Sequence, residues 1–229
     1  MSYYILSLAC DTPETGHVYP QIQKLKPGYD DKKPNSIYSY LKKSINGFPD
    51  EAPDLDGFIM HGYAKPTDFV SNAITSSGFF IDQKVKSIFE KYNLPPHRFY
   101  LAKVIYKKKL LDDYFWCHTI SNFTNLIDYP NSSFFIYKHY RLDDGDIKIN
   151  SLDDYFEKKK QLQQDNPGIN ITIWIKRICL YPSFFNKKLD LFKIGLFDTN
   201  FYISEALKDN LIQNNITGCE IEPTDRIIT

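Results

Sequence analysis

Cys117 and His118 are the residues in this sequence closest to forming a nucleophile with its base. Such a pair needs thiol and imidazole within hydrogen-bond reach of each other. Both lie in Tyr114–Ile120, an aromatic-rich stretch that reads as a strand. Adjacent residues of a strand point to opposite faces, so the pair is expected to be a core thiol next to a separate histidine. His17, His61, His97 and His139 show no H-x-x-x-H spacing for a metal. His61–Gly62 follows an expected strand, where a ligand-binding turn could sit. Asp143-Asp144-Gly145-Asp146 resembles a fragment of a calcium loop, but no Glu follows at the required distance. A hairpin turn is expected there. No G-x-G-x-x-G, phosphate loop or G-x-S-x-G occurs. The reading assigns no catalytic residue, no cofactor and no metal.

Two acid-rich loops could act by charge instead. One holds Asp50, Glu51, Asp54 and Asp56, and the other holds Asp143, Asp144 and Asp146. Either could steer a basic partner toward the surface. The same residues also read as ordinary solvated turns. Lys107–Lys109 and Lys158–Lys160 could contact phosphate, but acids flank both. Asp154 and Lys158 are spaced as an i,i+4 ion pair on a helix.

The composition agrees with a binding role. Lys+Arg and Asp+Glu are both 28, giving a formal net charge of zero. No global field draws the chain to nucleic acid or to an anionic membrane. Arginine occurs at positions 98, 141, 177 and 226, so guanidinium forks for phosphate or base recognition are scarce. Hydrophobic residues make up 42% and aromatic residues 16% of the 229 positions, enough for a substantial core. Cys10, Cys117, Cys179 and Cys219 are widely spaced, and reduced thiols are expected. No Lys or Arg precedes Lys24, so Tyr3–Ala9 is expected to be a strand and not a signal segment.

The elements that would position these residues alternate between strands and short helices. Strands are expected at Tyr3–Ala9, Phe58–Tyr63, Arg98–Tyr106, Tyr114–Ile120, Phe134–Tyr140 and Ile169–Leu180. The three central ones suggest an antiparallel meander. Asp11–Asp31 and Asn46–Asp56 are expected as loops. Helices are expected at Ser36–Ser44, within Gly78–Asn93 and from Ser151 to about Gln164. Asp82 and Ser151 are placed as caps, and Leu152, Tyr155, Phe156 and Leu162 form the last helix's buried stripe. Along Ile169–Leu180, Ile169, Ile171, Ile173 and Ile175 alternate with Asn170, Thr172, Trp174 and Lys176. The expected class is α+β, mainly antiparallel sheet with several short helices packed on it, as a single domain over residues 1–229.

Phe79–Asn93 is echoed by Phe201–Asn215 without a gap. Phe79, Ile81, Lys86 and Asn93 recur as Phe201, Ile203, Lys208 and Asn215. Asp82 and Ser204 stand at the two cap positions. Each helix is followed by a breaker, Pro95–Pro96 or Gly218, and then by an extended segment. This suggests a duplication in which 79–104 is repeated as 201–223. Residues 1–64 form a variable part outside it.

The same segments carry a resemblance. Lys65–Ile105 with Tyr114–Ile120 resembles the middle of bacterial immunity proteins from polymorphic toxin systems, and Leu191–Pro223 resembles their end. The closing pattern is Ile203, Ser204, Glu205, Leu207, Lys208, Thr217, Gly218 and Ile221. At the first cap this chain has Asp82 where Ser is usual, and Asp11–Asp56 lies outside the likeness. The motifs are caps, breakers and core positions, so no catalytic residue carries over. The resemblance implies a cytoplasmic antidote that binds a cognate toxin domain encoded nearby. No membrane, nucleic-acid or small-molecule partner is expected. Two further classes stand beside it: a hydrolase or transferase with an unrecognised site, and a single-stranded nucleic-acid binder with stacking aromatics beside Lys.

Overall fold

The computed structural model describes residues 2–75, 77–138 and 144–228. The fold is α+β. The chain divides into two compact units. An N-terminal unit contains Leu6–Ile120 and Ala206–Ile221, and a C-terminal unit contains Ser121–Glu205 with both chain ends.

The N-terminal unit is built on a six-stranded sheet. Its strands are β2 (Ile22–Leu25), β3 (Asp56–Met60), β4 (Phe69–Val70), β5 (Gly78–Asp82), β6 (His97–Tyr106) and β7 (Lys109–Thr119), in the order β2-β3-β6-β7-β5-β4. The strand before them in sequence, β1 (Tyr3–Leu8), crosses the division between the units after Ile5. β6 and β7 form a long hairpin, and β3 joins β6 in parallel. The hairpin turn uses no glycine: Lys107 and Lys108 both take positive φ, 47° and 66°, the conformation of a two-residue primed turn. Helix α1 (Ile37–Lys43) is capped by the Ser36 hydroxyl, and α2 (Gln83–Phe89) by the Asp82 carboxylate. Ile22, Ile37, Tyr40, Phe58, Phe80, Val104 and Trp116 are among the buried core residues.

In the C-terminal unit, β8 (Ser133–Lys138), β9 (Asp146–Ile147), β10 (Ile171–Cys179) and β14 (Ile227–Ile228) form a sheet in the order β14-β10-β8-β9. Helix α3 (Leu152–Asp165) begins at the Ser151 cap, and α4 (Pro182–Phe185) is a single turn. Strands β11 (Leu191–Gly195) and β12 (Asp198–Ser204) pair antiparallel. Phe134, Tyr155, Ile173, Ile175, Phe184, Phe192, Phe197 and Tyr202 lie in this unit's core. Helix α5 (Glu205–Gln213) and β13 (Cys219–Pro223) complete the chain order before β14.

Several sequence expectations change. The meander stops after two strands, because β8 pairs with β10 and not with β7. The expected loop Asp11–Asp31 contains β2. The apolar residues Phe79–Ile81 that lead into the second helix form strand β5, and the helix itself starts after the Asp82 cap as expected, spanning Gln83–Phe89. Phe156 is 49% exposed and does not join the buried stripe of α3. The two echoed segments both fold as strand, helix, breaker and strand, β5–α2–β6 and β12–α5–β13.

The Thr217–Gly218 pair has a mechanical role in the N-terminal unit. The Thr217 backbone N–H and hydroxyl both donate to the Asp68 carboxylate at 2.6 Å. Gly218 sits at φ +79°, and a Cβ there would come within 2.1 Å of the Phe69 carbonyl oxygen. Its N–H donates to the Glu14 carboxylate at 2.7 Å. Glycine is required here by both the backbone conformation and the close approach.

Candidate partner-binding face

The alternation along β10 creates the candidate face. Ile171, Ile173 and Ile175 are buried on one side, which sends Thr172, Trp174 and Lys176 to the other. Register places Trp174 opposite Phe135 and Thr172 opposite Tyr137 on β8. Phe135 in turn lies opposite Asp146 on β9. One face of the sheet therefore carries three adjacent aromatic side chains. Trp174 stacks on Tyr137 with ring centroids 5.1 Å apart and planes at 11°. Phe135 meets Trp174 edge-on at 6.5 Å. Trp174 remains 43% exposed, whereas Phe135 is 8% exposed and forms the floor beside it.

One ion pair borders the aromatic group: Lys176 meets Asp146 at 4.0 Å. Lys138, in register with buried Ile171, belongs to the other side of β8 and pairs with Asp144 at 3.8 Å. Backbone bonds from the Ile136 N–H to Gly145 O and from the Asp144 N–H to Ile136 O hold Asp144 and Gly145 against β8. Asp146 is brought beside the aromatics by its register with Phe135, Asp144 is held on Ile136, and Asp143 lies outside the described residues. In the sequence Trp174 is one of the outward residues of the β10 alternation, and a tryptophan on the outward register of a half-buried strand is the signal that marks it.

The first acid loop belongs to the N-terminal unit and is less uniform than expected. Asp50 and Glu51 are exposed. Asp54 is structural: its carboxylate accepts the Asp56 N–H at 3.1 Å, and its carbonyl accepts the Tyr29 hydroxyl at 2.9 Å. Lys33 approaches Asp54 at 3.9 Å. Asp56 lies between Lys26 at 3.6 Å and Lys103 at 3.3 Å. Lysines therefore offset much of this loop's field.

No model of a known protein family matches this chain, and no curated protein matches it.

The residues with reactive groups separate as strand geometry requires. Cys117 is fully buried, in register with Phe79 and Phe99, and burial pushes its thiol up. His118 faces the other way. It stacks on Trp116 at 4.4 Å, and its Nδ1 lies 3.5 Å from the Tyr40 hydroxyl. That hydroxyl shares a 2.7 Å hydrogen bond with Tyr100. Burial, with the Arg98 charge second, lowers His118 to about 4, so its ring is neutral at physiological pH. His97 bonds the Pro95 carbonyl at 2.9 Å. His139 lies outside the described residues. Among the described residues, no group of three or more His, Cys, Asp or Glu gathers as a metal site. No helix among them is long and apolar enough to cross a membrane.

Proposed function

We propose that this chain is a cytoplasmic immunity protein that binds a cognate toxin domain and blocks it by surface contact. The observation that carries the reading is the Phe135–Tyr137–Trp174 group, exposed at Trp174 and bordered by the Lys176–Asp146 ion pair. Energetically dominant interface residues are commonly aromatic, central and ringed by polar groups. The sequence likeness of Lys65–Ile105 and Leu191–Pro223 to immunity proteins points to the same class. The test is co-expression with the toxin domain encoded beside this gene. The parent chain should rescue growth and co-purify with that domain, and Trp174→Ala should do neither. Rescue that persists in Trp174→Ala would remove this face from the reading.

A second reading draws on the same face, because Lys176 stands beside stacking rings as in single-strand binders. Asp146 holds that lysine and repels phosphate, which favours a protein partner. A fluorescent oligonucleotide that binds and releases with salt would reverse that preference.

A further inference from the structure

The N-terminal unit contains an open cleft of about 590 Å³, lined by Pro13, Gly16, His17, Val18, His61, Tyr63 and Lys65. That volume suits a small organic ligand. We propose that the cleft binds a small anion carrying a planar ring, with the chemistry of a nucleoside monophosphate.

The walls are built and held. Gly16 adopts φ +77°, and a Cβ there would fall 2.3 Å from the Tyr63 carbonyl oxygen, so glycine lets the 12–17 turn close on the segment that follows β3. The Lys65 N–H donates to Thr15 O at 3.1 Å. Buried Gln21 fixes the far side through Lys65 O at 2.7 Å and Thr67 at 3.0 Å. His17 occupies the left-handed region at φ +55°, a conformation that costs free energy in a non-glycine residue. The fold maintains that cost at the cleft wall.

The lining selects the ligand. Its polar side chains are two imidazoles, a phenol and an ammonium, and it contains no carboxylate. Of the acids in the adjoining turn, Glu14 accepts the Gly218 N–H at 2.7 Å, and Asp11 meets His17 Nδ1 through its carbonyl at 3.2 Å and its carboxylate at 3.4 Å. The Nδ1 of His61 accepts the Tyr63 N–H at 3.3 Å, which places the neutral ring's proton on Nε2 as a donor. Lys65 uses one of its three donors on Pro13 O at 2.9 Å, and this bond holds the ammonium over the cleft. These groups suit an anion. Tyr63 is 82% exposed, with its ring 5.6 Å from that of His61. An exposed phenol beside an imidazole is a stacking surface for a planar ring. No small-molecule ligand was expected from the sequence, since Pro13–Val18 and His61–Lys65 meet only in the folded unit.

The experiment titrates the full chain with adenosine 5′-monophosphate, adenosine and inorganic phosphate, by calorimetry and by NMR of the histidine ring protons. The monophosphate should bind saturably, shift the His17 and His61 signals, and bind more tightly than either fragment. Tyr63→Ala, at an exposed position, and Lys65→Gln should each weaken it by about tenfold. Three results would overturn the proposal: no saturable shift, unchanged affinity in both variants, or phosphate binding as tightly as the monophosphate.

Discussion

The indole of Trp174 lies parallel to the ring of Tyr137, with centroids 5.1 Å apart, on the side of β10 opposite its buried isoleucines. Truncating Trp174 removes a large apolar surface that the fold leaves partly in water. Trp174→Ala is expected to weaken toxin binding by at least about 2 kcal/mol, roughly thirtyfold in Kd. Its effect on unfolding free energy should stay within about 1 kcal/mol, because the residue is not in the core. Calorimetric titration paired with urea unfolding separates the two effects.

The two acid groups should differ in kinetics. Asp146 borders the aromatic face, whereas Asp50 and Glu51 belong to the other unit. Asp146→Asn should lower the association rate with a basic toxin and flatten its salt dependence. The Asp50→Asn, Glu51→Gln double variant should leave both nearly unchanged. Stopped-flow association at several salt concentrations decides this, and the reverse ranking would move the interface to the first loop.

A buried histidine and a half-buried aspartate make opposing contributions to acid stability. His118 titrates at about 4 in the fold, held down first by burial. An unfolded histidine titrates near ~6.5, so between those values the unfolded chain binds more protons and this contribution is lost as pH falls. Asp82 runs the other way. Burial is the main cause raising it to about 6; the Val85 N–H pulls it back, and Asp68 and Asp113 add to the rise. An unfolded aspartate titrates near ~3.9, so the folded chain binds the extra proton and this contribution is lost as pH rises toward 6. Asp82→Asn keeps a capping oxygen for α2 and should steepen the loss of stability toward acid. His118→Gln should flatten or reverse that slope. Urea unfolding at pH steps between about 4 and 7.5 reads both.

The closing motif should be a stability element. Gly218→Ala forces a side chain into left-handed backbone, at about 1–2 kcal/mol, before the clash with Phe69 O is counted. Thr217→Val removes one donor to Asp68 and should cost about 1–2 kcal/mol. Gly218→Ala should therefore lower Tm more than Thr217→Val. Equal, negligible shifts in calorimetry would mean that the contact with Asp68–Phe69 is unimportant.

The sequence by itself determined the local elements. Asp82 and Ser151 cap the helices they are expected to cap, and Ser36 caps α1, because a short oxygen-bearing side chain before an apolar-periodic run satisfies an otherwise unpaired backbone N–H. The alternation of Ile171, Ile173 and Ile175 fixed which side of β10 is core. It also fixed the divergence of Cys117 and His118, since period two allows adjacent residues no shared face. What it did not determine was which strands pair. Partner choice depends on contacts far apart in sequence, so the third strand of the expected meander went to β10. The candidate sites depended on the same choice. Trp174 becomes part of an aromatic face only when β8 lies beside it, and His17 shares a cleft with His61 only after Gly16 lets two distant segments meet. Periodicity is written along the chain, whereas proximity across strands exists only once the chain has folded.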